Sequence, residues 1–432
     1  MKTVLMAGGK GTRISSIAHD IPKPMIKING VPVLEREIEC LKNQGFRDII
    51  ITVGHLGHII MDYFGDGSGC SPITGKQFDV NIEYYVENEP LGNAGALFEI
   101  KDKLDEDFLL LNADAIFDID FNRLIEFHKN SCAVATILTH PNSHPYDSGL
   151  IIANENGMVL QWLTKEDERP QYYKNRVNAG IHVISPILLK QKISTRKVDL
   201  DRQLLKPLAQ TGKLFCYDSP EYVKDMGTPE RYKSVCNDFS NNIVSIRNLR
   251  NKQKAIFLDR DGTINKYVGF LRNIEDFELL YGVSEAIKQI NSSEYLVIVV
   301  TNQPVIARGE LSINQLKDIH NKMETLLGIE GAYVDDIFFC PHHPHSGYVG
   351  EILELKIECE CRKPKSGMLQ MAAEKFNIDL SKSWMIGDSE NDIRAGQRAG
   401  CRTALIGTSR YGQDLSGASL EDLIKKILQL EM

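Results

Sequence analysis

An apolar run, Ala255-Ile256-Phe257-Leu258, ends in two carboxylates with one residue between them, Asp259 and Asp261, and then the glycine turn Gly262-Thr263. At the carboxyl end of a parallel strand such a pair shares one loop, where one aspartate can attack and the other can move protons. Near the start of the chain, Gly8, Gly9 and Gly11 directly follow the apolar run from Thr3 to Ala7. Glycines there let backbone N–H groups approach a polyphosphate, with Arg13 and Lys23 to neutralise its charge. A third constellation is Cys340-Pro341-His342 with Cys359-Glu360-Cys361. Three sulfurs and one imidazole suit closed tetrahedral zinc, which would be structural and would hold the loop leading into Arg362-Lys363.

Elements must position these groups. At 432 residues the chain suits two domains rather than one core. Strand-like and helical runs alternate: Thr3 to Ala7, then Leu34, Ile38 and Leu41 at helical spacing ended by Gly45, then Asp48 to Val53. Alternation of this kind predicts α/β architecture with parallel sheet covered by helices. It restarts at Lys254 after a polar stretch, so we expect domains over 1–237 and 253–432 with a linker over 238–252. Ser419 followed by Leu420, Leu423, Ile424, Ile427 and Leu428 predicts a terminal amphipathic helix.

A formal net charge of −8 disfavours nucleic acid as a partner. No apolar run reaches the roughly 18 residues of a membrane span, and Met1-Lys2-Thr3 leads straight into a strand, so a cytoplasmic protein is expected. Of the nine cysteines, Cys40, Cys70, Cys132, Cys216 and Cys236 are scattered and read as reduced thiols. The oligomeric state is left open, a homo-oligomer included.

The string Leu5-Met6-Ala7-Gly8-Gly9-Lys10-Gly11-Thr12-Arg13, followed by Ile21-Pro22-Lys23-Pro24-Met25, resembles the signature of the sugar-1-phosphate nucleotidyltransferases. Further elements follow in that family's order: Glu87 to Ala96 around Gly92, Asn112-Ala113-Asp114, Val177-Asn178-Ala179-Gly180, and Lys224-Asp225-Met226-Gly227-Thr228-Pro229. The resemblance implies a Rossmann-like, GT-A-like domain in which a sugar 1-phosphate attacks the α-phosphorus of a nucleoside triphosphate. It assigns Gly8, Gly9, Gly11, Thr12, Arg13, Lys23, Glu87 and Gly92 to the nucleotide, with Arg13 and Lys23 also catalytic. Asn112, Gly149, Lys165 and Asn178 fall to the sugar phosphate, and Asp114 and Asp225 to magnesium. Glu87 lies where many relatives using thymidine or uridine triphosphate have glutamine. A carboxylate accepts both N1–H and N2–H of guanine, so GTP is expected.

Asp259 and Asp261, with Val300-Thr301-Asn302-Gln303, Arg362-Lys363-Pro364 and Gly387-Asp388, resemble the four motifs of the haloacid dehalogenase (HAD) superfamily. The resemblance implies a second Rossmann-like domain, with a zinc-binding loop. Asp259 would be the nucleophile and Asp261 the acid and base, while Thr301 and Lys363 stabilise the phosphoryl oxygens. Asp259, Asp261 and Asp388 form the implied magnesium set, Asp392 its support, and Asn302 and Arg362 the substrate contacts. The cysteine-histidine clip narrows the resemblance to heptose bisphosphate phosphatases and the related histidinol phosphatases. Joined, the halves resemble two steps toward GDP-D-glycero-α-D-manno-heptose, with GTP, heptose 1-phosphate and heptose 1,7-bisphosphate as substrates. The alternatives are a mannose 1-phosphate guanylyltransferase fused to a histidinol-phosphatase-like enzyme, and a non-catalytic sugar-nucleotide sensor.

Overall fold

The computed structural model describes residues 1–9, 20–191, 193 and 195–430. Two compact units divide the chain between Asn248 and Leu249, but the second also takes in Pro141–Ser148 and Lys165–Arg176. The polar stretch 238–252 carries the end of helix Pro229–Ser240 and the short helix Ile243–Ile246, with Ile243 and Val244 buried.

The first unit is built on a nine-stranded mixed sheet. Strands Asn81–Val86, Asp48–Val53, Thr3–Ala7 and Phe108–Asn112 run parallel in that order, and the antiparallel strand Val177–Ile184 continues the sheet. Each central strand is apolar on both sides because helices and loops cover both faces. Leu5 and Leu111 face one buried cluster, while Val4 and Leu110 face the other. The helix predicted from Leu34, Ile38 and Leu41 spans Val33–Asn43 and buries all three. A separate two-stranded ribbon pairs Ala115–Asp118 with Tyr222–Asp225, in a register that sets Asp225 opposite Ala115.

The second unit has a six-stranded sheet whose strand pairings are all parallel. Across it run Asp336–Cys340, Tyr295–Asn302, Lys254–Leu258, Trp384–Gly387, Arg402–Ile406 and Leu415–Gly417. Numbered along the chain this order is 3-2-1-4-5-6, the doubly wound arrangement, and its switch point lies between Lys254–Leu258 and Trp384–Gly387. A crevice is expected outside the carboxyl ends of those two strands. The terminal helix spans Leu420–Leu430, with Leu420, Leu423, Ile424 and Ile427 buried and Ser419 Oγ accepting from the Asp422 N–H.

Candidate active sites

Asp259 and Asp388 are the residues that leave the two strands at the switch point, and the Asp259 N–H is tied to the carbonyl of Ile386. The loop after Asp259 must pass close beneath Asp388. Gly262 permits it, because its φ is +88° and a Cβ there would lie 2.1 Å from Asp388 Oδ2. Carboxylate oxygens of Asp259, Asp388 and Asp392 lie within 4.8 Å of one another, a spacing that could hold a divalent cation.

Lys363 is the organising cation. Its buried ammonium donates to Asp259 Oδ1 at 2.7 Å, Asp392 Oδ1 at 2.6 Å and the Val300 carbonyl at 2.8 Å, which uses all three protons. Burial disfavours its charge, but Asp259 and Asp392 more than offset this and carry its pKa above the usual value. Burial pushes Asp259 up, opposed by Lys363 and assisted by Asp392. Asp388 is raised for the same first reason, with Asp392 adding to it. Asp392 also caps helix Glu390–Ala399, its Oδ2 accepting from Ser389 N and Oγ. Asn302 braces this lysine: its amide donates to the Lys363 carbonyl and accepts from the Lys363 N–H, at 2.9 and 3.0 Å.

The Asp261 side chain, which the sequence reading joins to Asp259 and Asp388, is not in the group that Asp259, Asp388 and Asp392 form. Its side chain meets Arg260, Asn265 and Gln303, and Gln303 also donates to Thr301 Oγ1 at 2.9 Å. Sequence reasoning missed Arg260, a fully buried guanidinium between the two aspartates. A charged residue in mid-motif was the available signal.

Cys340, His342, Cys359 and Cys361 do converge. The Sγ of Cys340 lies 3.5 Å from that of Cys359 and 3.2 Å from that of Cys361, and His342 Nδ1 is 3.3 Å from Cys361 Sγ. A zinc ion with bonds of about 2.3 Å needs tetrahedron edges of roughly 3.8 Å, so the donor set and its size fit that ion with slight expansion. His343 is not among these four; its Nε2 lies 3.3 Å from Arg308. Arg362 donates to the His342 carbonyl, so the clip fixes its backbone partner. Arg308 is buried between the rings of Phe270 and Tyr348, at 4.1 and 4.5 Å. Neither Arg308 nor Arg362 has a carboxylate partner among the described residues.

In the first unit, Gly11, Thr12 and Arg13 lie outside the described residues. Gly8 follows strand Thr3–Ala7 and passes against Glu87, for a Cβ on Gly8 would lie 2.6 Å from Glu87 Oε1. Gly9 has open space at that position. Burial raises the Glu87 pKa, an effect opposed by the Leu91 N–H. Gly92 has φ +80° and lies against the Val198 backbone. Asn112 ends its strand beside Met6, and Gly180, at φ +74°, lets the Asn178 strand close on its amide. Lys23 Nζ donates to Asp114 Oδ2 at 2.6 Å, and Arg231 holds both oxygens of Asp225 at 2.9 and 3.1 Å. Register places the two aspartates at one end of the ribbon, each carrying a cation. Arg231 was not foreseen. Gly149 lies against Trp162 in the first unit, while Lys165 is exposed and groups with the second.

Comparison with known proteins agrees with this division. The nucleotidyl transferase family model matches residues 2–242, and a HAD-hydrolase-like model matches 360–425. The D-glycero-β-D-manno-heptose-1,7-bisphosphate 7-phosphatase of Haemophilus ducreyi is 39% identical over 40% of this chain and 92% of that protein. A phosphatase of Photorhabdus laumondii named for the α-anomer is 43% identical over 35% of this chain and 80% of that protein. The mannose-1-phosphate guanyltransferase of Schizosaccharomyces pombe is 30% identical over 54% of this chain and 62% of that protein. The chain belongs to the nucleotidyl transferase family, and its C-terminal part to the heptose-bisphosphate phosphatases among the HAD-like hydrolases. It is an enzyme with two activities, one acting on a nucleotide and a sugar phosphate, the other on a phosphomonoester.

Proposed function

We propose that the second unit removes the 7-phosphate of D-glycero-α-D-manno-heptose 1,7-bisphosphate and that the first joins the resulting 1-phosphate to GMP from GTP, releasing pyrophosphate. The observation that carries this reading is the guanidinium pair. Arg308 and Arg362 sit on the loop system of the phosphatase, without carboxylates to satisfy them, and suit a second phosphate on the same substrate.

Asp259 attacks phosphorus, Asp261 protonates the departing alkoxide and then takes a proton from the water that cleaves the aspartyl-phosphate. Thr301, and Lys363 on giving up one of its present acceptors, would stabilise the phosphoryl oxygens, and magnesium bound by Asp259 and Asp388 would neutralise their charge. In the transferase, Arg13 and Lys23 hold the triphosphate over Gly8, Gly9, Gly11 and Thr12, with Gly92 shaping the adjoining turn. Glu87 reads guanine, and Asn112, Gly149, Lys165 and Asn178 hold the sugar phosphate. Magnesium at Asp114 and Asp225 would bring the reacting phosphates together without a covalent intermediate. Both reactions are assigned to the cytoplasm, with no nucleic acid or membrane partner; no helix among the described residues is long and apolar enough to cross a membrane.

The purified chain with magnesium, GTP and the α-bisphosphate should release phosphate and pyrophosphate and form the sugar nucleotide. Equal or faster turnover of histidinol phosphate or mannose 1-phosphate contradicts the substrate assignment. Glu87→Gln should reduce the preference for GTP over UTP by about tenfold, corresponding to about 1.4 kcal/mol; an unchanged ratio of the two kcat/KM values removes Glu87 from base reading. Elemental analysis should find about one zinc per chain. Cys359→Ser should release it and lower the phosphatase melting temperature, whereas retention of full zinc would exclude this clip as the site.

A further inference from the structure

Asp261 is the acid and base in the reading above, and such a residue works only if its oxygen is aimed. An aspartate side chain has two free torsions. Here both are fixed by donors from different parts of the fold. Oδ1 accepts from Arg260 Nε at 3.2 Å, Arg260 Nη2 at 2.9 Å and Asn265 Nδ2 at 3.0 Å. Oδ2 accepts from Arg260 Nη2 at 2.8 Å and from Gln303 Nε2 at 3.0 Å.

Arg260 is itself held in place. It is fully buried, and its Nη1 lies 3.3 Å from Nε2 of His320, whose ring packs edge-on to Phe339. Burial, with Arg260 adding to it, keeps His320 well below its usual pKa, so the ring stays neutral beside the guanidinium. A buried guanidinium is costly unless its geometry serves something. Its planar fork can impose one orientation on a carboxylate, which a lysine cannot.

The two oxygens are not equivalent. Three donors crowd Oδ1, whereas Oδ2 receives two and is joined through Gln303 to Thr301, the phosphoryl-side residue. We propose that Arg260 is a positioning residue that orients Asp261 so that Oδ2 is the oxygen exchanging the proton with the leaving group, with His320 and Gln303 holding the arrangement. In the first half-reaction the Oδ2 proton, which takes the lone pair that Gln303 Nε2 otherwise occupies, passes to the leaving alkoxide oxygen as its bond to phosphorus breaks and the Asp259 bond forms. In the second, water oxygen bonds to phosphorus, the Asp259 bond breaks, and a water proton returns to Oδ2.

This rests on the acid role of Asp261, and leaving-group chemistry tests the two claims separately. In the full-length enzyme, kcat/KM is measured on the heptose bisphosphate, whose alkoxide needs a proton, and on p-nitrophenyl phosphate, whose phenolate does not. Asp261→Asn should lose about 10²- to 10⁴-fold on the first and less than about tenfold on the second. If it does not, the acid assignment itself fails. Arg260→Met and Arg260→Lys should lose about 10- to 100-fold on the sugar substrate through kcat, with KM little changed, while keeping p-nitrophenyl phosphate within about threefold. Hydrolysis of p-nitrophenyl phosphate also reports folding. Should Asp261→Asn show the split while Arg260→Lys loses both substrates equally, or neither, Arg260 does not aim Asp261.

Discussion

Asp259→Asn should reduce phosphate release by about 10⁴-fold or more while guanylyl transfer to heptose 1-phosphate proceeds within about twofold of the parent rate. The change removes the nucleophilic oxygen and its charge at nearly constant shape, so the first effect is chemical. Asparagine remains isosteric and can still meet Lys363, which keeps its bonds to Asp392 and Val300. The second effect follows from the fold: Asp259 follows the strand Lys254–Leu258 of the second unit, whereas Lys23, Asp114 and Asp225 belong to the first. Parallel phosphate and pyrophosphate assays on one preparation check both. Loss of both activities in a folded variant would contradict two separate centres.

The next largest effect is expected on stability. Arg176 and Glu324 form an ion pair at 3.1 Å, with side chains 4% and 3% exposed. Glu324 also accepts from the Asn175 N–H, and Arg176 donates to the Asp335 carbonyl at 2.7 Å. Arg176→Ala removes the cation paired with a buried carboxylate, which costs about 3 to 5 kcal/mol. Denaturant unfolding should show the loss in the transition of the second unit. Arg176→Met combined with Glu324→Leu should recover most of it, because replacing both charges by apolar groups is often neutral. An unchanged midpoint in the single variant would mean that the pair contributes nothing to that unit.

Much of this was legible in the chain itself because the informative features are local. An apolar run ending in Asp259 dictates a carboxylate at a strand terminus. The Ser419 cap and the 3.6 period of Leu420, Leu423 and Ile427 dictate the last helix. One Cys-x-His pair and one Cys-x-Cys pair can be matched from spacing, and the four side chains do meet. What was not legible depends on distant partners. Asp261 gave no sign that Gln303 would hold it, since that contact spans 42 positions. Asn302 is assigned to the substrate by motif, and its bonds to Lys363, 61 positions away, could not be read from the chain. The segment through Tyr173, Asn175 and Arg176 carries no motif and no periodicity. Its partners Thr325, Glu324 and Asp335 lie about 150 positions later, beyond any periodicity or motif.

That loop bears on how the enzyme can be dissected. A gene severed at the polar stretch would yield a hydrolase deprived of Tyr173, Asn175 and Arg176, with Glu324 separated from the guanidinium that pairs with it. Kinetics measured on such a fragment would describe a damaged catalyst. Inactivating one centre by substitution in the intact polypeptide is the cleaner way to isolate the other.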